Sequence, residues 1–278
     1  MIITEVTNLK KISKNKRKGY NDEFKKLKKG DRSEETIHDC RVAARRLNAM
    51  LEVMDILKNF TVNINSLKNT IKKSRKELGT ARDIQVTRSF LYKNQKDLEF
   101  LDFNSFEQYY QQFKKKSLKE TNKFIKSFKL KKVNKKLKKV FKDYFKNINE
   151  KTSLDNLFKE INKEKETVLT SFYHLDRNDI STFHQLRKDL KKLRYKLEII
   201  NEISLESYNI SNYKDIQDLL GEIQDIAVIK EILKSKFQLS DSDNNIEKLN
   251  YFLNSEQDKL INKFLNKNEL FLEMMIKL

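Results

Sequence analysis

The residue types best suited to chemistry gather in one short stretch, Thr36 to Leu47, with the sequence TIHDCRVAARRL. It holds one of the three histidines and three of the eleven arginines of a chain that has 48 lysines. His38, Arg41, Arg45 and Arg46 in such proximity suit three chemistries: a solvated helix face, a metal or catalytic histidine, or a site for an anion. Six of the eleven arginines, namely Arg41, Arg45, Arg46, Arg82, Arg187 and Arg194, fall within two related motifs. In a lysine-biased sequence, arginine marks places where its planar fork matters, which means two-pronged recognition of phosphate or carboxylate.

The second motif is a copy of the first. His38 aligns with His184, Arg41 with Arg187, Arg45 with Lys191, Arg46 with Lys192, Leu47 with Leu193 and Glu52 with Glu198. Upstream, Ser33 matches Asp179, and both are good N-cap residues. Downstream, Leu78-Gly79-x-x-x-Asp83-Ile84 matches Leu220-Gly221-x-x-x-Asp225-Ile226. The spacing predicts two copies of one helical unit about a pseudo-two-fold axis.

Helical phase sets the direction of these residues. At about 100° per residue, with His38 at zero, Arg41 lies near 300°, Arg45 near 340° and Glu52 near 320°. Cys40, Ala43, Leu47, Leu51 and Met54 cluster on the opposite side. In the copy, His184, Arg187, Lys191, Arg194 and Glu198 share one face, and Leu186, Leu190, Leu193, Leu197 and Ile200 the other. A histidine inside a basic polar stripe is not a core filler. It is one donor among phosphate donors, and it gains a second N–H and a charge when protonated. Anion binding should therefore strengthen as pH falls. Gly79 and Gly221 either end a helix in the left-handed conformation or let two helices approach closely. Asp83 and Asp225 cap the next helix, orient an arginine or ligate a metal.

The elements that must carry these motifs are helices. The chain has 278 residues, no proline and four glycines, so turn punctuation is nearly absent. A basic leading helix over 1–29 ends at Gly30. Ser33 opens a helix to about Lys58, another reaches Leu78-Gly79, and a third follows. Residues 105–149 form one or two amphipathic helices whose aromatics, Phe106, Tyr110, Phe113, Phe124, Phe128, Phe141, Tyr144 and Phe145, fall mostly on a core face. Within Lys114 to Lys146 there are 15 lysines against Glu120 and Asp143, a net of +13. That run is either a solvated face or an extension of a basic surface. DISTFHQLRKDLKKLRYKLEII and YKDIQDLLGEIQDIAVIKEIL are helices of the second half, and the tail supplies one or two more. SLESYNISN and QLSDSDNN read as loops. The expected organisation is all-α, as two pseudo-symmetric antiparallel four-helix bundles of long helices, over 1–150 and 151–278.

The net charge of +19 suggests a polyanionic partner, although lysine bias accounts for part of it. One cysteine excludes an intramolecular disulfide and a thiolate metal cluster. No signal peptide or membrane-length apolar run is present, so a cytoplasmic location is expected.

The stretches IHDCRVAARRL, FHQLRKDLKKLRYKLE, LGTARDIQV and LGEIQDIAV resemble the two halves of the CHAD family, the conserved histidine α-helical domain, over roughly Ser33 to the C-terminus. The resemblance implies two four-helix bundles related by pseudo-symmetry and a basic surface that binds inorganic polyphosphate, in some members at polyphosphate granules. It implies contacts from His38, Arg41, Arg45, Arg46, His184, Arg187, Lys191 and Arg194, with Arg82 and Lys192 at the margin. There are departures. Asn48 stands where the first motif usually has another basic residue, Lys191 and Lys192 where arginine is common, and Gln224 opposite Arg82.

No ExExK signature, Walker loop, HExxH helix or nucleophile elbow occurs, and no inward-facing ExxH pair suits a di-iron bundle. The expectation is a binding module with no enzyme activity, no cofactor and no metal. Its rival is a general polyanion or nucleic-acid binder. The two basic rows are expected to face a common groove.

Overall fold

The computed structural model describes residues 3–57, 64–79, 82–148, 154–204, 208–236 and 244–276. The described chain is all-α. In order it forms α1 (Ile3–Lys29), α2 (Glu34–Ile56), α3 (Asn65–Glu77), α4 (Arg82–Lys93) and a short 3-10 turn (Gln95–Leu98). There follow α5 (Phe103–Ser127), α6 (Leu130–Asn147), α7 (Asp155–Tyr173), α8 (Ile180–Ile203), α9 (Ile210–Lys236), α10 (Asn244–Leu265) and α11 (Asn268–Ile276). Among the described residues the only β-pairing is one isolated bridge between Asp176 and Asp179.

Local chemistry sets the ends of the helices that carry the motifs. Gly30 stands at φ 110°, and the N–H of Asp31 reaches back to the Lys26 carbonyl at 3.2 Å. This left-handed residue with a six-to-one hydrogen bond closes α1. Ser33 then caps α2, its Oγ accepting from the Thr36 N–H at 3.2 Å. Asp31 accepts from the Ser33 N–H at 3.0 Å and the Thr36 hydroxyl at 2.7 Å. These donors, Thr36 first, hold its carboxyl down at about 2. The equivalent turn before α8 uses Asp179, which accepts from the Ser181 N–H at 2.9 Å. Both N-caps implied by the repeat are therefore present. The long segment 105–149 breaks in two at Phe128–Lys129. Of the loop expected over 204–212, Ser204, Tyr208 and Asn209 lie between α8 and α9, 205–207 lie outside the described residues, and Ile210, Ser211 and Asn212 instead open α9. Most of QLSDSDNN lies outside the described residues.

The chain packs into two compact units whose segments interleave in sequence. The first comprises Met1–Gly79, Thr121–Thr167 and Lys191–Ile210; the second comprises Thr80–Glu120, Val168–Leu190 and Ser211–Leu278. Each draws chain from both sides of position 150, where the repeat restarts.

In the first unit α1 and α2 pack together through Leu9, Tyr20, Phe24 and Leu27 against Cys40, Leu47, Met50, Leu51 and Met54, all buried. Phe24 stacks on Phe128 at 4.4 Å, and the Tyr20 hydroxyl meets Ser74 Oγ at 2.9 Å. α6 is held by burial of Leu137, Val140, Phe141 and Tyr144 against the unfavourable lysines of its first turn. In the second unit Leu91, Phe106, Tyr110, Ile226, Ile229 and Leu253 form a core, and Phe172 stacks on Phe271 at 4.5 Å. Phe106, Tyr110, Phe141 and Tyr144 are thus core residues as expected, whereas Phe113, Phe124, Phe128 and Phe145 are only half-buried.

Candidate functional site

In the first unit α2 presents the row that the sequence singled out. His38 and Arg46 are exposed, and Arg41 and Arg45 are half-buried. Arg41 reaches across to the end of α3. Its Nη1 donates to the Leu78 carbonyl at 3.3 Å, where the helix terminus favours a cation. Its guanidinium lies directly over Gly79: a Cβ built there would sit 2.8 Å from Arg41 Nη1. Of the two roles open for this glycine, close approach is the one realised, and the groups approaching are the arginine and the Lys76 carbonyl, which would lie 3.0 Å from that Cβ. Gly79 is not in the left-handed region, which among the described glycines only Gly30 occupies.

The second unit repeats this seat. Arg187 of α8 lies over Gly221 of α9, where a Cβ would fall 3.3 Å from both Nε and Nη2. Gly221 is inside a helix, and its missing side chain again makes room for the arginine of the same motif. His184, one turn earlier, is half-buried and hydrogen-bonds to Gln224. Its Nδ1 is buried without a hydrogen-bond partner among the described residues. Burial first, then the charges of Lys188 and Arg187, hold its imidazole below the ordinary histidine value; Gln224 opposes them. The departure at Gln224 is thus a polar partner for the motif histidine.

The rest of α8 belongs to the first unit. Lys191 is half-buried, and Lys192 is exposed. Arg194 departs from the expected outward row. Only 8% of it is exposed, and its Nη1 is 3.4 Å from Glu198 and its guanidinium over the Tyr195 ring at 4.7 Å. The other oxygen of Glu198 is 3.6 Å from Arg46 Nε on α2. One carboxylate therefore joins the α2 row to the α8 row inside this unit. Helical phase could not show this, because it gives a direction around one axis and not the neighbour that covers it.

A second carboxylate works behind the row. Glu164 of α7 is buried, pairs with the buried Lys196 ammonium, and also takes Lys192 at 2.6 Å. Burial pulls the Lys192 ammonium down, but Glu164 outweighs it and the net shift is upward. Glu52, the repeat partner of Glu198, accepts from Asn48 at 2.7 Å and lies 3.8 Å from Lys72. Asn48, where the motif usually has a base, thus braces this carboxylate. Two cations on α3 went unread in the sequence: Lys72, and Arg75, whose guanidinium is held below its usual value by desolvation and then by the nearby charge of Arg45. Arg75 was findable. It is an arginine in a lysine run, four residues before Gly79.

The side chains of Arg82 and Asp83 lie outside the described residues. Cys40, two residues from His38, is buried and its thiol is pushed up to about 12, so it is not poised as a thiolate. Among the described residues no group of three His, Cys, Asp or Glu side chains is placed to hold a metal. What the geometry offers is an array of cations, several fixed by glutamates, glycines or carbonyls, on one surface of the first unit, with a histidine–arginine pair in the second. Such an array has the donor chemistry that an anion requires.

The fold is all-α and carries the histidine–arginine motif twice. The sequence profile of the CHAD domain matches residues 20–234, and the chain belongs to the CHAD domain family. Two solved structures share the fold. The CHAD domain from the plant Ricinus communis superposes with a TM-score of 0.66 at 16% identity, over 98% of this chain and 92% of the other. PptA from Streptomyces chartreusis gives 0.70 at 11% identity, over 97% and 98%. No curated protein matches the chain in sequence. Among the described residues no helix is long and apolar enough to cross a membrane.

Proposed function

We propose that the chain binds inorganic polyphosphate non-covalently, as a binding module and not an enzyme. In the first unit, Arg41, Arg45, Arg46 and Lys191 present the donors, with His38 beside them. Lys192 is held in the same surface by Glu164, and the buried Arg194 stands behind it, held by Glu198. In the second unit, His184 and Arg187 contribute in the same way. Arg82, next to the glycine motif, is the remaining candidate.

The observation that carries this reading is the repeated arginine seat. Arg41 over Gly79 and Arg187 over Gly221 are guanidinium groups fixed before any ligand arrives. Preordered forks suit the tetrahedral oxygens of phosphate and reduce the entropy lost on binding. Membership of the CHAD family supports the choice of phosphate chain over carboxylate. A cytoplasmic site of action, at or near stored polyphosphate, follows from the same reading.

Competition tests it. At about 150 mM salt, where diffuse attraction is screened beyond about 8 Å, labelled polyphosphate should stay bound when tRNA is added at equal phosphate concentration. Displacement by tRNA would overturn the reading in favour of a general polyanion binder.

A further inference from the structure

The lysine run that the arginine row leaves unused forms a surface of its own within the first unit. α6 carries eight lysines, no arginine and one acid, Asp143. At about 100° per residue its lysines cover an arc of roughly 160° outside the buried stripe of Val133, Leu137, Val140 and Tyr144. On one flank a cleft of about 420 Å³ runs between α1 and α6. Its rim is Lys10, Lys14 and Arg17 on α1 and Lys138, Lys142 and Lys146 on α6. No carboxylate lines it, and none of the five lysines is paired with a carboxylate among the described residues. Arg17 is instead pinned to Asn134 of α6 by a 2.7 Å hydrogen bond. The floor is aromatic: Phe141 is buried, and Phe145 is half-exposed to the cleft. On the other flank a cleft of about 350 Å³ between α3 and α6 repeats the pattern, with Lys73, Lys132 and Lys136 above the half-buried rings of Phe124 and Phe128. Asp143 lies further along that flank, with Lys136 and Lys139.

We infer that the α6 clefts form a second anion-binding surface, and that its ligand class is single-stranded nucleic acid. The chemistry differs from the arginine row. There several cations are braced by glutamates, and many are forks; here, Arg17 apart, they are point charges without carboxylate partners, which track a backbone without reading it. Lys138, Lys142 and Lys146 repeat every four residues, about 6 Å apart along the helix, on the scale of one step of an extended strand. An inorganic phosphate chain has nothing to place against an aromatic floor, whereas bases do, and stacking on aromatic rings beside a lysine groove is how single strands are held without sequence preference. A flat anionic membrane would meet the lysines but not the recessed rings. An acidic peptide would meet both and is distinguished by the probe.

The test uses the full chain and a labelled oligothymidylate of about 20 nucleotides. Lys138→Ala/Lys142→Ala/Lys146→Ala should weaken oligonucleotide binding about tenfold or more and leave polyphosphate affinity at about 150 mM salt within about twofold. Arg41→Ala/Arg45→Ala/Arg187→Ala should do the reverse. Phe145→Leu keeps the floor apolar but removes the ring, and should weaken the oligonucleotide about threefold or more without lowering the salt slope. The inference is overturned if the lysine variant binds the oligonucleotide like the parent. It is also overturned if Phe145→Leu has no effect, which would leave a surface that reads charge alone, or if phosphatidylglycerol vesicles or a glutamate-rich peptide outcompete the oligonucleotide. A polyphosphate affinity that falls with the lysine variant would also overturn it, because the two surfaces would then be one; failure of the parent chain to bind polyphosphate would overturn only the proposed function.

Discussion

Arg41 and Arg187 are one residue used twice, and their glycines are the most direct handle on the site. Gly221→Ala removes a helix-interior glycine, a change worth about 1 kcal/mol of helix propensity. The new Cβ would touch only the movable end of Arg187. Thermal stability should hold or rise while polyphosphate affinity falls, a combination that melting and titration on one sample would check. Gly79→Ala pushes Arg41 Nη1 from 2.8 Å contact and also crowds the Lys76 backbone carbonyl at 3.0 Å; it should lower the melting temperature and weaken binding about tenfold, the worth of one charge-assisted hydrogen bond of about 1.5 kcal/mol. His184 supplies the pH dependence. Its proton is held less tightly in the folded chain than in the unfolded one, so its contribution to stability is present above the ordinary histidine range and is lost as pH falls through it. A bound phosphate reverses the preference, because it favours the imidazolium. Polyphosphate affinity should therefore rise as pH drops from about 7.5 to 5.5, and His184→Gln should flatten that rise. The sequence exposed the histidines and arginines through their repeat. It did not join arginine to glycine, because the alignment places both but says nothing of contact across helices.

At the scale of elements, α7 and α8 are tied by charge inside the first unit. Along α7 the buried positions are Leu157, Ile161, Glu164 and Val168, a helical stripe with one acid where an apolar residue belongs. On α8 the stripe of Leu193, Leu197 and Ile200 is unbroken, and Lys196 is buried on its flank. The one acid out of place on the α7 stripe was the legible sign of the Glu164–Lys196 pair; the burial of Lys196 and Arg194 beside an intact α8 stripe had no such sign. Glu164→Gln leaves the Lys196 ammonium buried against a neutral group and should destabilise the fold by about 3–5 kcal/mol, measured by urea unfolding. Asp55→Asn removes the half-exposed partner of Lys68 at 3.0 Å and should change stability by less than about 1 kcal/mol. Helix ends were more legible than helix neighbours. Ser33, Gly30 and Asp179 each act on backbone within a few residues of themselves, and a sequence reports that directly.

For the whole molecule, a net charge of +19 guarantees some affinity for any polyanion at low salt, so binding alone distinguishes nothing. The interleaving of the two units across position 150 was not legible, since the repeat marks where a motif restarts and not which segments pack together. Function rests instead on which cations matter once diffuse attraction is screened. The deciding measurement is calorimetric titration of inorganic polyphosphate at about 150 mM salt into the parent chain and into Arg41→Ala/Arg45→Ala/Arg187→Ala, with helicity and melting temperature recorded for both. Fixed arginine forks predict at least about a tenfold loss of affinity in the variant at unchanged helicity. Equal affinity in the two proteins would show that the lysine excess holds the polyanion and would contradict the account.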